Sequence, residues 1–455
     1  MTTASSEKRG GKRSLARTVV RWSLRAFLAL ILVLALAFVV VFRGAIYNRF
    51  VHFPREARAW QQLEAQRIDV TLDDGWNAYQ GICHSHSYLS HDSQVPFEEI
   101  LSVLKETGHD FILMSDHCID GKADYSLQWD KIVDGVLFVP GFEMSDGFMP
   151  WGLPPDTVLN CGEDLDVLAA QIEDLGGLLF FAHTEEERRW DLPQLVGMEI
   201  YNIHTDVKDE DGLGSLLGDV LFSIRKYPDN VVRTIFDRQT EILARWDQLN
   251  MDRDIVGIAA NDCHQNVGVV LYYTEDGTLL IEDTSPRTIG EYGLNWWKRL
   301  GLRVLFGRLE AGRELFHFQL DPYERMVRFV STHILAHELS KDAILDSLGQ
   351  GRVYIGFDML ADSRGFIYMA ESGTEQAVMG ERIAMRPDLL LRAASPVPCR
   401  FTVVHNGQPV HQAEGRELEW KPNATGKYRI EAEVDILGEW TPWVYTNPIH
   451  ILGVQ

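Results

Sequence analysis

The sequence contains few cysteines, and none of them are arranged as a metal-binding or disulfide framework usually is. Its 455 residues include five, at long spacings and without a Cys-x-x-Cys pair: Cys83, Cys118, Cys161, Cys263 and Cys399. This pattern excludes a zinc site built from thiolates and predicts no disulfide framework. We interpret the five cysteines as small apolar packing residues.

Only one stretch of the sequence is long and apolar enough to cross a membrane. Residues 26–42 carry no charge and would span about 25 Å as a helix. Seven basic residues precede the run and four follow it: Lys8, Arg9, Lys12, Arg13, Arg17, Arg21 and Arg25, then Arg43, Arg49, Arg55 and Arg58. The positive-inside rule therefore predicts a cytoplasmic tail at 1–25 and a periplasmic or extracellular location for the rest. A cleaved signal peptide is the alternative, but no small-residue cleavage site follows the run.

After residue 58, acidic residues outnumber basic residues. Residues 1–58 carry a net charge of +9 and the whole chain −23, so the other 397 residues carry −32. Such a surface repels polyanions and argues against a nucleic-acid partner. A small phosphorylated substrate remains compatible with this charge.

Between residues 78 and 360, apolar strands alternate with helical stretches, as in a parallel α/β domain. One helix is predicted between Pro96 and Gly108 from the helical spacing of its apolar residues. Seven strands are predicted, at 80–87, 110–117, 136–145, 178–183, 196–202, 254–264 and 351–358. Together these units predict a barrel, with 43–77 as a linker and 265–338 as an insertion. Residues 365–455 show period-two polarity and an Asn-Gly turn, which predict a C-terminal β-sandwich.

Polar residues stand at the ends of five of these strands. They are His84 and His86, His117, Glu143, His183, and Asp262 and His264. Strand ends of a parallel barrel lie on one face, so these side chains are expected to converge, joined by Asp92. Imidazoles with carboxylates suit zinc, manganese or iron, and about eight ligands are too many for one ion. The sequence therefore predicts two or three divalent transition-metal ions.

The order of these motifs resembles the PHP (polymerase and histidinol phosphatase) superfamily. The motifs are H-x-H-x-x-x-S-x-D-S (His84, His86, Ser90, Asp92, Ser93), then "SDH", "PGFE", "AH" and "NDCH". The resemblance implies a distorted seven-stranded barrel and a two- or three-metal centre that hydrolyses phosphoesters. Carried over by motif position, the ligands are His84, His86, Asp92, His117, Glu143, His183, Asp262 and His264. The sequence departs from the family at Asn202, where some members have histidine, and His204 follows two residues later.

The ligand set predicts hydrolysis through a metal-bridged hydroxide, without a protein nucleophile. Two other functions are considered: a metal-containing binding or sensory module without turnover, and a nuclease like the PHP domains linked to polymerases. The filled ligand positions favour an enzyme. The acidic surface and the membrane anchor argue against the nuclease.

Three further residues and one helix have two interpretations each. Asp116 either orients a ligand or caps a turn. Arg188 and Arg189 either bind substrate phosphate or pair with Glu185–Glu187 on a solvated face. The basic, aromatic stretch 293–309 either packs against the barrel, which we favour, or lies on a membrane interface.

Overall fold

The computed structural model describes residues 7–203, 205, 213–285 and 287–453. It has a mixed α/β architecture that begins with an apolar helix. The chain divides into two compact units. The first comprises Met1–Arg58 with Glu210–Ile235, and the second comprises Ala59–Asp209 with Phe236–Gln455.

The described helices and strands have the following bounds. The helices are α1 (Glu7–Val41), α2 (Arg43–Tyr47), α3 (Phe53–Glu64), α4 (Phe97–Thr107), α5 (Leu165–Asp174), α6 (Leu213–Ser223), α7 (Pro228–Arg233), α8 (Thr240–Asp252), α9 (Trp296–Phe306), α10 (Tyr323–Phe329) and α11 (Lys341–Gln350). The strands of the N-terminal half are β1 (Asn77–Ser85), β2 (Phe111–Leu113), β3 (Asp116–His117), β4 (Lys122–Asp124), β5 (Lys131–Val133), β6 (Val136–Val139), β7 (Phe142–Glu143), β8 (Phe148–Trp151), β9 (Val158–Asn160), β10 (Leu178–Phe181), β11 (Leu195–Asn202) and β12 (Val256–Cys263). Those that follow are β13 (Gly268–Tyr273), β14 (Leu279–Glu282), β15 (Thr288–Tyr292), β16 (Arg313–Gln319), β17 (Ser331–Ala336), β18 (Val353–Gly356), β19 (Ile367–Ser372), β20 (Glu375–Val378), β21 (Arg382–Ala384), β22 (Leu390–His405), β23 (Gln408–Trp420), β24 (Gly426–Ile436), β25 (Glu439–Thr446) and β26 (Ile449–Leu452).

The first unit contains the apolar helix found in the sequence. Within α1, the segment Val19–Val41 is long and apolar enough to span a bilayer, and none of it is buried. The segment 43–77, predicted as a linker, is helical from α2 through a π-helical turn (Asn48–His52) to the end of α3. The Asn48 amide donates to both carboxylate oxygens of Asp219 on α6, at 3.1 and 2.9 Å.

Six of the seven predicted strands form a parallel set in the second unit. Their spatial order is β6, β2, β1, β12, β11 and β10, each paired in parallel with the next. Strand β8 pairs antiparallel with β10. The parallel order places the carboxyl ends of these strands on one side, which is the side that carries the polar residues.

The seventh predicted strand, β18, does not join the parallel set. It pairs antiparallel with β17 and with β25. Strand β17, inside the segment predicted as an insertion, pairs antiparallel with the first half of β1, from Asn77 to Gly81. The described pairings thus establish six of the seven predicted strands as a parallel set, and closure into a seven-stranded barrel stays a prediction.

Both faces of the parallel strands are buried. In β2, Phe111 and Leu113 belong to one apolar cluster, while the intervening Ile112 belongs to another. In β1, Cys83 belongs to the first of these clusters and Ile82 belongs to the second. Because successive strand residues point to opposite faces, the sheet is covered on both sides, as parallel sheets usually are.

Helix α4 covers one of these faces and has the predicted ends. Pro96 precedes its first residue in an extended conformation, and Gly108 ends it at φ 76°. Phe97, Ile100 and Leu104 are its buried residues, at the i, i+3 and i+7 spacing of one helix face.

The C-terminal strands pair mainly antiparallel. Asn406 and Gly407 form the predicted two-residue turn between β22 and β23, with φ values of 47° and 78°. Both values are positive, as the hairpin turn favoured by Asn-Gly requires. Strand β25 pairs antiparallel with β18, and Tyr354 lies opposite Thr446. A separate C-terminal sandwich stays a prediction.

The prediction that no cysteines pair is wrong. Cys118 and Cys161 form a disulfide, whereas the other three cysteines are free and buried, as expected of packing residues. The antiparallel pairing of β4 with β9, in which Lys122 lies opposite Asn160, brings the two segments together. This long-range pairing leaves no signature in the cysteine spacing.

The segment after β12 forms a small sheet of its own. Strands β15, β14, β13 and β16 pair in that order, and helix α9 lies between β15 and β16 in the chain. The favoured interpretation of 293–309 as a core-packed helix is wrong, because α9 contains no buried residue. Its apolar residues recur on more than one face, so the sequence pattern alone does not distinguish a buried helix from an exposed one.

Candidate metal centre

The eight predicted ligands meet at one place in the second unit. They form three overlapping groups: His86, Asp92, His117 and His264; His84, His183 and Asp262; and His84, His86 and Glu143. Within each group, one ligand atom from every residue lies within 4.8 Å of the others. His84 and His86 each belong to two groups, so the groups are adjacent.

Three of these residues have unusual backbone conformations. His84, His183 and Asp262 have φ values of 61°, 48° and 46°. Such left-handed conformations cost a non-glycine residue about 1–3 kcal/mol and are found where the surrounding fold enforces them. At His84 the pairing of β1 with β12 also shifts register, between Cys83 and Ser85. These distortions at the strand ends turn the side chains toward the common centre.

Glu143 stands between several imidazoles. Its Oε2 lies 3.2 Å from His84 Nε2 and 3.7 Å from His86 Nε2, while its Oε1 lies 3.2 Å from His183 Nε2. Asp262 Oδ1 is likewise 3.2 Å from His84 Nε2. A carboxylate whose two oxygens face different imidazoles is well placed to bridge two cations.

On the other side of the centre, Asp92 lies between two imidazoles. Its Oδ2 lies 3.3 Å from Nε2 of both His117 and His264. The rings of His86 and His264 stack with centroids 3.8 Å apart. This side of the centre is also the more accessible one, since the side chains of Asp92 and His117 are each 27% exposed.

The sequence interpretation missed Glu199. This buried carboxylate lies 2.5 Å from Nδ1 of His84, and its other oxygen accepts a hydrogen bond from the His183 backbone at 2.8 Å. It thereby fixes the ring so that Nε2 of His84 faces Glu143 and Asp262, as the outer partners of metal-binding histidines do. The available signal was a lone carboxylate in the otherwise apolar strand "LVGMEIYN".

Asp116 acts on the centre through a serine. The Ser90 hydroxyl donates to Asp116 at 3.2 Å and lies 3.0 Å from Nδ1 of His86. The carboxylate also accepts from Ser87 and from Gln128. Burial raises the pKa of Asp116, although these hydrogen bonds oppose the change. Its contacts are those of a residue that positions a ligand.

The imidazoles and carboxylates interact strongly. Burial and the neighbouring His264 lower the pKa of His86 to about 3, which keeps this ring neutral, as a metal ligand must be. Burial alone would lower the pKa of His183 as well, but hydrogen bonds to Glu143 and Glu185 raise it to about 10. The carboxylates thus favour positive charge at the centre.

The donor set fits divalent metal ions. Nε2 of His86 and Oδ1 of Asp92 are buried and have no hydrogen-bond partner among the described residues. Buried polar atoms rarely stay unsatisfied, and a bound ion would satisfy both of these atoms. Five imidazoles with three carboxylates match the preferences of zinc, manganese and iron.

The two arginines considered for substrate phosphate have partners of their own. Nε of Arg188 donates to the Ala182 carbonyl at 3.0 Å, and its guanidinium pairs with Glu186. Arg189 pairs with Asp166 and with Asp191, both at 3.0 Å. Their role in phosphate binding stays a prediction.

The residues considered for a third ion are only partly described. The Asn202 amide donates to Glu199 at 3.0 Å and lies 3.4 Å from Nδ1 of His183. His204 lies outside the described residues. A third ion near these positions stays a prediction.

Comparisons with protein families, curated proteins and solved structures give matches among the structures alone. No protein-family model and no curated protein matches the chain. A similar solved structure is that of a two-domain protein from Bacteroides vulgatus ATCC 8482 that contains a predicted PHP-like metal-dependent phosphoesterase. The two chains are 13% identical, the alignment covers 84% of this chain and 98% of the other, and the TM-score is 0.37. A likeness of this size carries no functional conclusion.

Removing the Glu199 carboxylate is expected to weaken metal binding. Glu199→Ala frees the His84 ring to rotate, and the loss of such an outer partner lowers metal affinity by about 10- to 100-fold. Competition with a chromogenic chelator measures this affinity. Glu187→Ala, at an exposed site on the loop after His183, is the matched control and should leave it unchanged. Equal affinities for the two variants would contradict the assigned role.

Proposed function

We propose that this chain is a membrane-anchored, metal-dependent phosphoesterase that acts on a small phosphorylated substrate. The observation that carries the proposal is the convergence of five imidazoles and three carboxylates in three overlapping groups. We assign this activity to residues 78–360. The eight converging residues would bind two or three divalent ions of zinc, manganese or iron.

The protein residues have distinct tasks in this proposal. Asp92, His117 and His264 provide one binding position together with His86, and Glu143 connects it to the position beside His84 and His183. Divalent ions bound there would polarise phosphoryl oxygens and activate water for hydrolysis. Glu199 and Asp116 hold the ligand imidazoles in orientation, which preorganises the site before substrate binds.

A cavity beside the centre offers room for a small substrate. Its volume is about 330 Å³, and Thr184 and Glu185, next to His183, line it together with Arg238 and Arg245. The carboxylates of Glu185, Asp237 and Glu241 also line the cavity, and Arg238 pairs with Glu431. We therefore assign phosphate binding to the metal centre, with the Arg245 guanidinium as an additional group suited to phosphate. The motif order that resembles the PHP superfamily supports phosphoester hydrolysis as the reaction.

A substrate panel tests the proposed function. The purified full-length protein, supplied with manganese or zinc, should hydrolyse at least one aryl phosphomonoester or phosphodiester, and a chelator should abolish the reaction. The measurement is the rate of product formation, compared with that of a metal-free sample. A metal-loaded protein that hydrolyses neither class would contradict the proposal.

We further propose that α1 anchors the chain in the cell membrane, with the metal centre on the periplasmic or extracellular side. The charge difference across the apolar run supports this orientation. The disulfide between Cys118 and Cys161 supports it as well, because such bonds persist mainly in oxidising compartments.

Thiol counting is expected to find three free cysteines in the chain. Cys83, Cys263 and Cys399 are free, whereas Cys118 and Cys161 are joined. Cells lysed in denaturant with an alkylating reagent should give three adducts per chain by intact mass, and five after reduction. Five adducts before reduction would contradict the disulfide and weaken the proposed location.

A further inference from the structure

Helix α9 presents an apolar stripe to solvent. Trp296, Leu300 and Val304 are 62%, 47% and 78% exposed. Their spacing of four residues places them on one side of the helix. Trp297, next to the stripe, is 64% exposed. No described residue covers this surface, and contiguous exposed apolar patches usually mark binding sites.

The helix is nevertheless well formed and held by its other side. The Asn295 side chain caps it by accepting a hydrogen bond from the Lys298 backbone at 3.0 Å. Phe306 lies near Phe316 of β16, with ring centroids 6.4 Å apart. Since this contact fixes which side faces the small sheet, the apolar stripe is held outward.

The charged residues of the segment that carries the stripe all have one sign. Residues 293–309 contain Lys298, Arg299, Arg303 and Arg308 and no acidic residue, although the chain after residue 58 carries −32 overall. Lys298 and Arg303 are exposed on the helix. A basic, tryptophan-bearing helix within an acidic protein is complementary to an anionic surface.

We propose that α9 binds the interface of an anionic phospholipid bilayer. The stripe of Trp296, Leu300 and Val304 would enter the acyl-chain boundary, with Lys298 and Arg303 at the lipid phosphates. Tryptophan is enriched at this depth of membranes, and Tyr292 of the adjoining β15 is also half exposed. A bilayer is favoured over a protein partner because the chain itself carries a helix able to cross one.

Hydrogen exchange of the full-length protein tests this inference. The protein is placed in nanodiscs of phosphatidylcholine alone or of phosphatidylcholine mixed with phosphatidylglycerol. Amides of 293–309 should exchange at least about fivefold more slowly in the anionic discs, the effect expected of one basic residue near such a surface. Incorporation into discs reports separately on the α1 anchor.

Charge-reversal variants provide the control. Lys298→Glu with Arg303→Glu should remove the difference between the two kinds of disc. Lys122→Glu with Lys421→Glu, at two exposed sites elsewhere, should preserve it. Equal exchange of the unaltered protein in both discs would overturn the inference. So would protection that depends on protein concentration and not on lipid, which would indicate a second copy of the chain.

Discussion

The double variant His84→Ala/His86→Ala is expected to lose at least about 1000-fold in phosphoester hydrolysis. A metal Lewis acid contributes several kcal/mol to such a reaction, and each 1.4 kcal/mol is worth about a factor of ten. Between them, these two residues contribute to all three ligand groups, so their removal affects every binding position. Initial rates with an aryl phosphate, at saturating metal, measure the loss.

The fold should survive this substitution. Neither histidine belongs to the two apolar clusters that pack the parallel strands. Glu199, which loses its contact with His84, keeps hydrogen bonds from the His183 backbone and the Asn202 amide. Circular dichroism should therefore be unchanged. His317→Ala, an exposed histidine on β16 outside the ligand set, is the control and should keep full activity. An active double variant would contradict the mechanism.

The convergence of the candidate ligands could be predicted from sequence because these residues follow strand ends. His84, His183 and Asp262 each come directly after, or at the end of, an apolar run, and parallel pairing brings such ends together. The backbone distortions at these residues could not be predicted, because they depend on pairing between distant strands. Glu199 was missed for a related reason: its partner His84 is distant in the sequence.

Elements of the fold could be predicted where a local sequence signal sets their ends. They could not be predicted where pairing between distant segments sets the arrangement. The bounds of α4 follow from Pro96 and Gly108, and the β22–β23 turn follows from Asn406 and Gly407. The antiparallel pairing of β17 with β1 and the joining of Cys118 to Cys161 carry no such local signal. The exposure of α9 was also hidden, since its sequence suits either a buried or an interfacial helix.

Arg429→Met is expected to lower the free energy of unfolding by about 3–5 kcal/mol, the usual cost of removing one partner from a buried ion pair. The Arg429 side chain is 4% exposed. It donates to both oxygens of Asp247 on α8, at 2.9 and 2.7 Å, and to Glu431 on β24 at 2.7 Å. Methionine would fill much of the volume but leave Asp247 without its cation.

A second arginine provides the comparison for this stability effect. Arg386 pairs with Glu375 in the same β-rich region at 2.8 Å, but its side chain is 48% exposed. Exposed pairs contribute little, so Arg386→Met should cost about 1 kcal/mol or less. Urea unfolding of the detergent-solubilised chain, followed by near-ultraviolet circular dichroism, measures both variants. Equal losses would show that burial of the Arg429 pair is not what determines its contribution.

The central claim is that eight side chains of this chain bind more than one metal ion. Elemental analysis of the full-length protein, purified after expression in metal-replete medium, tests it most directly. We expect at least two equivalents of divalent transition metal per chain, because the three ligand groups exceed one coordination sphere. The His84→Ala/His86→Ala variant should lose most of this metal. One equivalent or less in the unaltered protein would contradict a multinuclear centre.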